Sequence, residues 1–174
     1  MASVGAVALP KRAASKFFLS GSEDRTVKCW DLSTVEMSSD VDEPQRITTK
    51  YTTLAHDKDI NSIALAPNDK LFATGSQDRT AKLWSTADGS LVGVLRGHKR
   101  GVWSVAFSPV DQVVATASGD QTIRLWSVKD FSCLKVRTRE NYFFLIKTLL
   151  FGRRSRGTKT LYCGSNFCRW ACSS

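Results

Sequence analysis

No apolar run in this chain is long enough to cross a bilayer. The most apolar stretch of the C-terminal part, Tyr142 to Ile146, stops at Lys147, so no membrane-spanning helix is expected. The start, Met1 to Leu9, is mildly apolar but short and without a basic segment, which argues against a signal peptide. There is no Asn-X-Ser/Thr sequon. The five cysteines are an odd number without framework spacing, so a disulfide-stapled secreted domain is not expected and a reducing intracellular compartment is. Phosphate-binding glycine loops, metal-spaced histidine pairs and a cysteine activated by a neighbouring histidine are all missing. Cys163, Cys168 and Cys172 form an irregular run with too few ligands for zinc, and read as free thiols. No cofactor or metal is expected.

Acidic residues are missing from only one part of the chain. The formal charge is +9, but residues 1–133 carry 16 Lys and Arg against 15 Asp and Glu. Residues 134–174 carry 9 basic residues against Glu140 alone. A charge argument for nucleic-acid binding therefore applies to the tail and not to the rest.

What is present is a repeat. Ser20-Gly21-Ser22-Glu23-Asp24-Arg25-Thr26-Val27-Lys28-Cys29-Trp30 aligns with Thr74-Gly75-Ser76-Gln77-Asp78-Arg79-Thr80-Ala81-Lys82-Leu83-Trp84. Both align with Thr116-Ala117-Ser118-Gly119-Asp120-Gln121-Thr122-Ile123-Arg124-Leu125-Trp126. Each copy has Asp six residues before Trp, and Lys or Arg two before it. Upstream, Ala55-His56 and Gly97-His98 place a His 28 residues before the Trp. Trp84 and Trp126 are 42 residues apart, the period of a four-stranded propeller blade. Alternation such as Ile123 and Leu125 on one face indicates strands, and Pro67-Asn68-Asp69, Ala87-Asp88-Gly89 and Ser118-Gly119-Asp120 are turn signals. Strands are predicted near 60–66, 71–76, 80–85 and 91–95, with the same rhythm over 102–137 and an inner strand from Val4 to Pro10. No helix is predicted.

These residues resemble the WD-repeat family over roughly residues 3–135, although the Trp-Asp pair occurs only as Trp30-Asp31. The expected fold class is all-β: an incomplete β-propeller of three four-stranded WD-repeat blades with an irregular C-terminal tail. The blades are expected within residues 1–137, at about 3–54, 55–95 and 96–137, and residues 138–174 as a divergent, basic, poorly ordered tail. The resemblance implies a structural tetrad of His, Ser or Thr, Asp and Trp in each blade. Carried over, blade two uses His56, Thr74, Asp78 and Trp84, and blade three uses His98, Thr116, Asp120 and Trp126. Blade one keeps Ser20, Asp24 and Trp30 but has no His. Two copies at matched spacing argue for architecture over a catalytic triad, which normally occurs once. The chain is not expected to be an enzyme.

The His loops and Asp turns of a propeller open on one rim, which places Lys58, Asn61, Lys99, Arg100, Trp103, Arg25 and Arg79 there as a candidate binding rim. Trp103 has two readings, a rim hot spot or a residue packed between blades. The gap from Trp30 to Trp84 is longer, 54 residues, because of a polar, acidic insert at Ser33–Arg46 that reads as a long loop. Because three blades cannot close a ring, both outer blades should show apolar faces, built from residues such as Val27, Cys29, Ile123 and Leu125.

Two stretches, Asp42–Gln45 through Leu54–Ala64 and Ser20–Leu32, are more specific than the family pattern. They resemble the WD-repeat scaffolds of small-subunit ribosome assembly. That resemblance implies a nucleolar location and protein partners that are other WD-repeat subunits of a pre-ribosomal complex. Small nucleolar RNA and pre-ribosomal RNA would be reached indirectly, with no membrane and no small-molecule substrate. It fails after about Lys135, where another Gly-His should follow. A cullin-type ubiquitin-ligase receptor is an alternative, but the Arg of the Trp-Asp-X-Arg signature is missing from Trp30-Asp31-Leu32-Ser33 and its counterparts. A G-protein-beta-like signalling scaffold is another, since fold does not determine function, and direct RNA binding by the tail a further one.

Overall fold

The computed structural model describes residues 3–33 and 47–138. Nearly all of the acidic insert and almost all of the basic tail, including Cys163, Cys168 and Cys172, lie outside the described residues. The described part consists of twelve strands and is all-β. Blade one holds β1 (Val4–Ala8), β2 (Phe17–Ser22), β3 (Thr26–Asp31) and β4 (Thr48–Leu54). Blade two holds β5 (Ile60–Leu65), β6 (Leu71–Ser76), β7 (Thr80–Ser85) and β8 (Leu91–Arg96). Blade three holds β9 (Val102–Phe107), β10 (Val113–Ser118), β11 (Thr122–Ser127) and β12 (Cys133–Thr138). Each blade is a separate four-stranded sheet whose strands pair in chain order, and all pairs are antiparallel. The sheets do not close into a ring, as expected for an incomplete propeller.

The second and third strands of each blade meet in the same turn. Arg25, Arg79 and Gln121, each directly after the turn Asp, take left-handed φ values of 70°, 72° and 64°. That conformation costs a non-glycine residue about 1–2 kcal/mol. It is offset by the Asp carboxylate, which accepts the backbone N–H two residues on: Thr26 to Asp24 at 2.8 Å, Thr80 to Asp78 at 2.9 Å and Thr122 to Asp120 at 3.0 Å. The register between third and fourth strands slips at the tryptophan in every blade, between Cys29 and Trp30, Leu83 and Trp84, and Leu125 and Trp126. Such bulges bend a strand and increase its twist.

The core is two sandwiches between blades. Leu19, Val27 and Cys29 of blade one pack on Ile60, Ile63, Phe72 and Trp84 of blade two. Ala73, Ala81 and Leu83 of blade two pack on Val102, Val105, Val114 and Trp126 of blade three. Trp84 and Trp126 therefore each face the preceding blade. This corrects the expectation for blade one: Val27 and Cys29 do not form a bare face but are buried against blade two. The outward face of blade one carries Val7, Phe18 and Trp30 instead, with Phe18 and Trp30 stacked at 5.8 Å. Alternation sorts residues onto two faces, but the stacking direction of the blades decides which face is covered. In blade three, Ile123 and Leu125 lie on the face away from blade two, yet they are not bare either: Ile123 is buried and Leu125 half-buried.

Polar contacts also cross the blade joints. Asp69, buried in the β5–β6 turn, accepts the N–H of Lys11 at 2.8 Å and of Arg12 at 2.9 Å, and the Ser15 hydroxyl at 3.0 Å. The Tyr51 hydroxyl of blade one donates to the Thr86 carbonyl at 3.0 Å. Between blades two and three, Asn61 Nδ2 donates to the Val102 carbonyl at 2.8 Å, and Val105 N–H donates to Ser62 Oγ at 3.3 Å.

Candidate functional site

In blade two the four residues His56, Thr74, Asp78 and Trp84 form one hydrogen-bonded chain. Trp84 Nε1–H donates to Thr74 Oγ1 at 2.9 Å, and Thr74 Oγ1 lies 2.7 Å from His56 Nε2. His56 Nδ1 lies 2.7 Å from the Asp78 carboxylate. Blade three repeats it: Trp126 to Thr116 at 2.8 Å, Thr116 to His98 at 2.7 Å, and His98 to Asp120 at 2.9 Å. A single proton arrangement satisfies both networks. The indole donates to the hydroxyl, the hydroxyl to Nε2, and Nδ1–H to the carboxylate. The elements place these groups: the His follows the fourth strand of the preceding blade, the Thr lies on the second strand, the Asp in the turn, the Trp on the third strand.

The electrostatics agree. Burial pushes the Asp78 carboxyl up, but hydrogen bonds from His56 and Thr80 outweigh it and hold the group well below the usual carboxylate range. Asp120 is depressed in the same way, burial being overcome by Thr122, the Lys99 N–H and His98. The His98 imidazole is lowered, because burial outweighs the attraction of Asp120. Thr74 and Thr116 are buried, as are both histidines. Each His–Asp–hydroxyl set is thus ordered, duplicated and buried, with its polar groups satisfied within the fold.

Sequence reasoning missed two residues of each network. The Thr80 and Thr122 hydroxyls donate to Asp78 and Asp120 at 2.6 Å and sit within 3.4 and 3.3 Å of the histidine Nδ1. Ser76 and Ser118 accept the Asp N–H and donate to the carbonyls of Lys58 and Arg100. The signal was in plain sight as Ser-X-Asp-X-Thr in all three aligned copies. A cation completes each set, with Lys28, Lys82 and Arg124 about 6 Å above the rings of Trp30, Trp84 and Trp126.

Blade one keeps only halves of the network. Trp30 Nε1–H donates to Ser20 Oγ at 2.9 Å, while Asp24 holds its own turn through the Thr26 hydroxyl at 2.6 Å. Between the halves lies a cavity of about 140 Å³, lined by Ser20, Asp24, Lys28 and Trp30, at the place the histidine occupies in the other blades.

The rim residues fall into two groups. Lys58, Lys99, Arg100, Arg25 and Arg79 are exposed beside the His loops and Asp turns. Asn61 is half-buried and ties β5 to β9, so its amide is used within the fold. Trp103 is 47% exposed. It lies against Gly119, where an added Cβ would be 2.8 Å from its Nε1. With Gly5, Glu23, Asp59, Asn61 and Gln77 it lines a shallow groove of about 220 Å³ across the inner strands. Among the described residues no cluster of His, Cys, Asp and Glu could hold a metal.

Over 101 residues the chain is 50% identical to human Transducin beta-like protein 3, which covers 56% of this chain and 12% of that protein. The mouse protein of the same name is 48% identical over the same span. U3 small nucleolar RNA-associated protein 13 of Saccharomyces cerevisiae is 40% identical over 102 residues, 57% of this chain and 12% of its own length. The chain thus spans about an eighth of the relatives it matches. The family described as WD domain, G-beta repeat matches residues 4–31, 48–85 and 89–127, one stretch on each blade. With two complete tetrad networks and a partial one on its three aligned blades, this chain belongs to the WD-repeat family.

Proposed function

We propose that the chain is a non-enzymatic scaffold segment that contributes protein-binding surface to a small-subunit pre-ribosomal complex in the nucleolus. The observation that carries this reading is the 50% and 40% identity, over 101 and 102 residues, to Transducin beta-like protein 3 and to a U3 small nucleolar RNA-associated protein. On this reading the tetrads are internal struts that hold the His loops and Asp turns steady. The binding rim is then Trp103 with Arg100, Lys99, Lys58, Arg25 and Arg79, an aromatic anchor among cations. The partners are proteins, including other WD-repeat subunits, and U3 RNA and pre-ribosomal RNA are reached through them.

The test is affinity capture of the tagged chain from cells, with identification of co-purifying proteins, RNA blotting for U3, and sedimentation of the extract. Co-purification with U3 particles and nucleolar fluorescence are expected. A diffuse cytoplasmic signal with cullin adaptors in the eluate would overturn the reading and favour a ubiquitin-ligase receptor.

A further inference from the structure

The loop that joins β1 to β2 differs from its counterparts. It runs over eight residues, 9–16, where blades two and three make the same connection with five, 66–70 and 108–112. The longer loop is basic: Lys11, Arg12 and Lys16 are exposed, as are Ala13 and Ala14 between them, and Ser15 is half-buried. The Ser15 N–H donates to the Arg12 carbonyl at 3.1 Å, which closes residues 12–15 into one turn. The Ser15 hydroxyl donates to Asp69 of blade two at 3.0 Å, beside the N–H groups of Lys11 and Arg12. Asp69 is buried under this clasp, whereas Asp111, at the same place in blade three, is exposed.

Two properties converge on Ser15. In sequence it stands three residues after Arg12 and four after Lys11, the spacing at which a kinase with an acidic substrate groove reads basic side chains ahead of the acceptor hydroxyl. Among the described arginines, Arg124 is the other with a hydroxyl residue, Ser127, three positions on, and its guanidinium lies over the Trp126 ring. Arg12 is exposed and open to a second protein. In space, the Ser15 hydroxyl is the side-chain donor of the clasp, so a change there acts on the joint between blades. A phosphoserine carries a charge of about −1.5 to −2 at neutral pH and accepts hydrogen bonds where the hydroxyl donated one. On Ser15 that charge would confront the Asp69 carboxylate. Lys11, Arg12 and Lys16 would draw the phosphate outward, in competition with the attraction between Arg12 and Asp69.

We propose that Ser15 is a phosphorylation site for a basophilic serine/threonine kinase, and that the phosphate opens the clasp between blades one and two. The Ser15 Oγ attacks the γ-phosphorus of ATP, the Oγ–P bond forms as the bond to the bridging β-phosphate oxygen breaks, and ADP leaves. The hydroxyl proton passes to the catalytic carboxylate of the kinase and then to solvent. Because Asp69 engages that hydroxyl, the loop is modified when it opens locally and extends along the kinase. Once modified, Ser15 no longer donates to Asp69, and repulsion between the two anions keeps the turn lifted. The N–H groups of Lys11 and Arg12 leave the carboxylate with it. The apolar sandwich of Leu19, Val27, Ile60 and Ile63 is untouched, so one edge of the joint loosens while the blades stay stacked.

The test incubates the full chain with ATP, magnesium and the catalytic subunit of cAMP-dependent protein kinase, and locates phosphate by peptide mapping. Phosphate on Ser15 is expected. Arg12→Ala removes the side chain that the kinase reads but keeps the N–H on Asp69, and should slow modification of Ser15 by about tenfold or more. In the phosphorylated chain the amides of Lys11 and Arg12 should exchange about tenfold faster, because their acceptor has moved away. Asp69→Asn keeps the shape of the side chain and removes its charge. Ser15 should be modified faster in that variant, and its phosphate should add little further exchange. Circular dichroism of each variant, with the β-sheet signal of the parent chain, separates these effects from unfolding. A chain that takes phosphate elsewhere but not on Ser15 would overturn the site, and so would a rate indifferent to Arg12→Ala. Phosphate on Ser15 with unchanged exchange at Lys11 and Arg12 would overturn the opening of the clasp.

Discussion

The Asp69 carboxylate of blade two accepts the backbone N–H of Arg12 in blade one at 2.9 Å, across 57 residues of chain. With the bonds from Lys11 and Ser15, it fastens the β1–β2 loop of one blade to the β5–β6 turn of the next. Burial alone would raise the Asp69 carboxyl, but the donors outweigh it and the group is held below its ordinary range. Asp69→Ala should cost about 1–3 kcal/mol, because a buried carboxylate with several donors is lost and the donors are left without it. Urea unfolding measures the cost. Amide hydrogen exchange should quicken first at Lys11 and Arg12, and unchanged exchange there would contradict the clasp.

The tetrads differ in completeness, and stability should register the difference. Asp120→Ala removes the partner of His98, Thr122 and the Lys99 N–H, and should destabilise by about 1–3 kcal/mol. Asp24→Ala removes only bonds within an exposed turn and should cost less. Equal shifts in melting temperature for the two would mean that the histidine link contributes nothing.

Acid should weaken the fold in two stages. His98 is depressed from its ordinary value of 6.5, so its contribution is complete above that pH and is lost as pH falls below it, where the unfolded chain binds the proton more readily. Asp78 and Asp120 are depressed from 3.8, so theirs is complete above that value and is lost further into acid. Denaturant midpoints measured from pH 8 to pH 3 should fall first below pH 6.5 and again below pH 4. His98→Asn should remove the first stage, and a midpoint flat from pH 7 to pH 5 in the parent chain would exclude it.

Gly89 has a positive φ of 69° in the β7–β8 turn, and a Cβ there would lie 2.7 Å from both Thr53 Oγ1 and Tyr51 Cε2 of blade one. Gly89→Ala should therefore cost more than the about 1–2 kcal/mol of the left-handed conformation, since it also crowds the joint. Thermal melts provide the test, and a neutral substitution would mean that the turn relaxes freely.

Trp103→Ala should separate binding from folding. Nearly half of the ring is exposed, so the melting curve should move by about 1 kcal/mol or less, while recovery of co-purifying proteins drops. Undiminished capture would remove Trp103 from the rim.

The positions of the strands and the members of the two full networks were legible because spacing carries them. Asp, Ser or Thr, and Trp recur at the same intervals in each copy, and a His recurs in two. Direction across the sheet was not legible. Val27 and Cys29 alternate properly with their neighbours, yet nothing local says that their side meets blade two. Asp69 was likewise hidden, because Pro67-Asn68-Asp69 reads as ordinary turn chemistry and its partners lie more than fifty residues away. Asn61 looked like a rim residue for the same reason, its acceptor being a carbonyl on the next inner strand.

Because every sheet pairs its strands in chain order, the blades can be completed one at a time as the chain leaves the ribosome. Blade one is whole once Leu54 has emerged, but Leu19, Val27 and Cys29 stay uncovered until β5 and β6 arrive. The nascent chain thus carries a moving front, one uncovered face that is passed from each blade to its successor. A pause in translation after a finished blade leaves that face waiting, whereas a pause inside one leaves an unpaired strand edge. The codons for the loop between β8 and β9 are therefore a safer place for a slow step than those within β10 or β11.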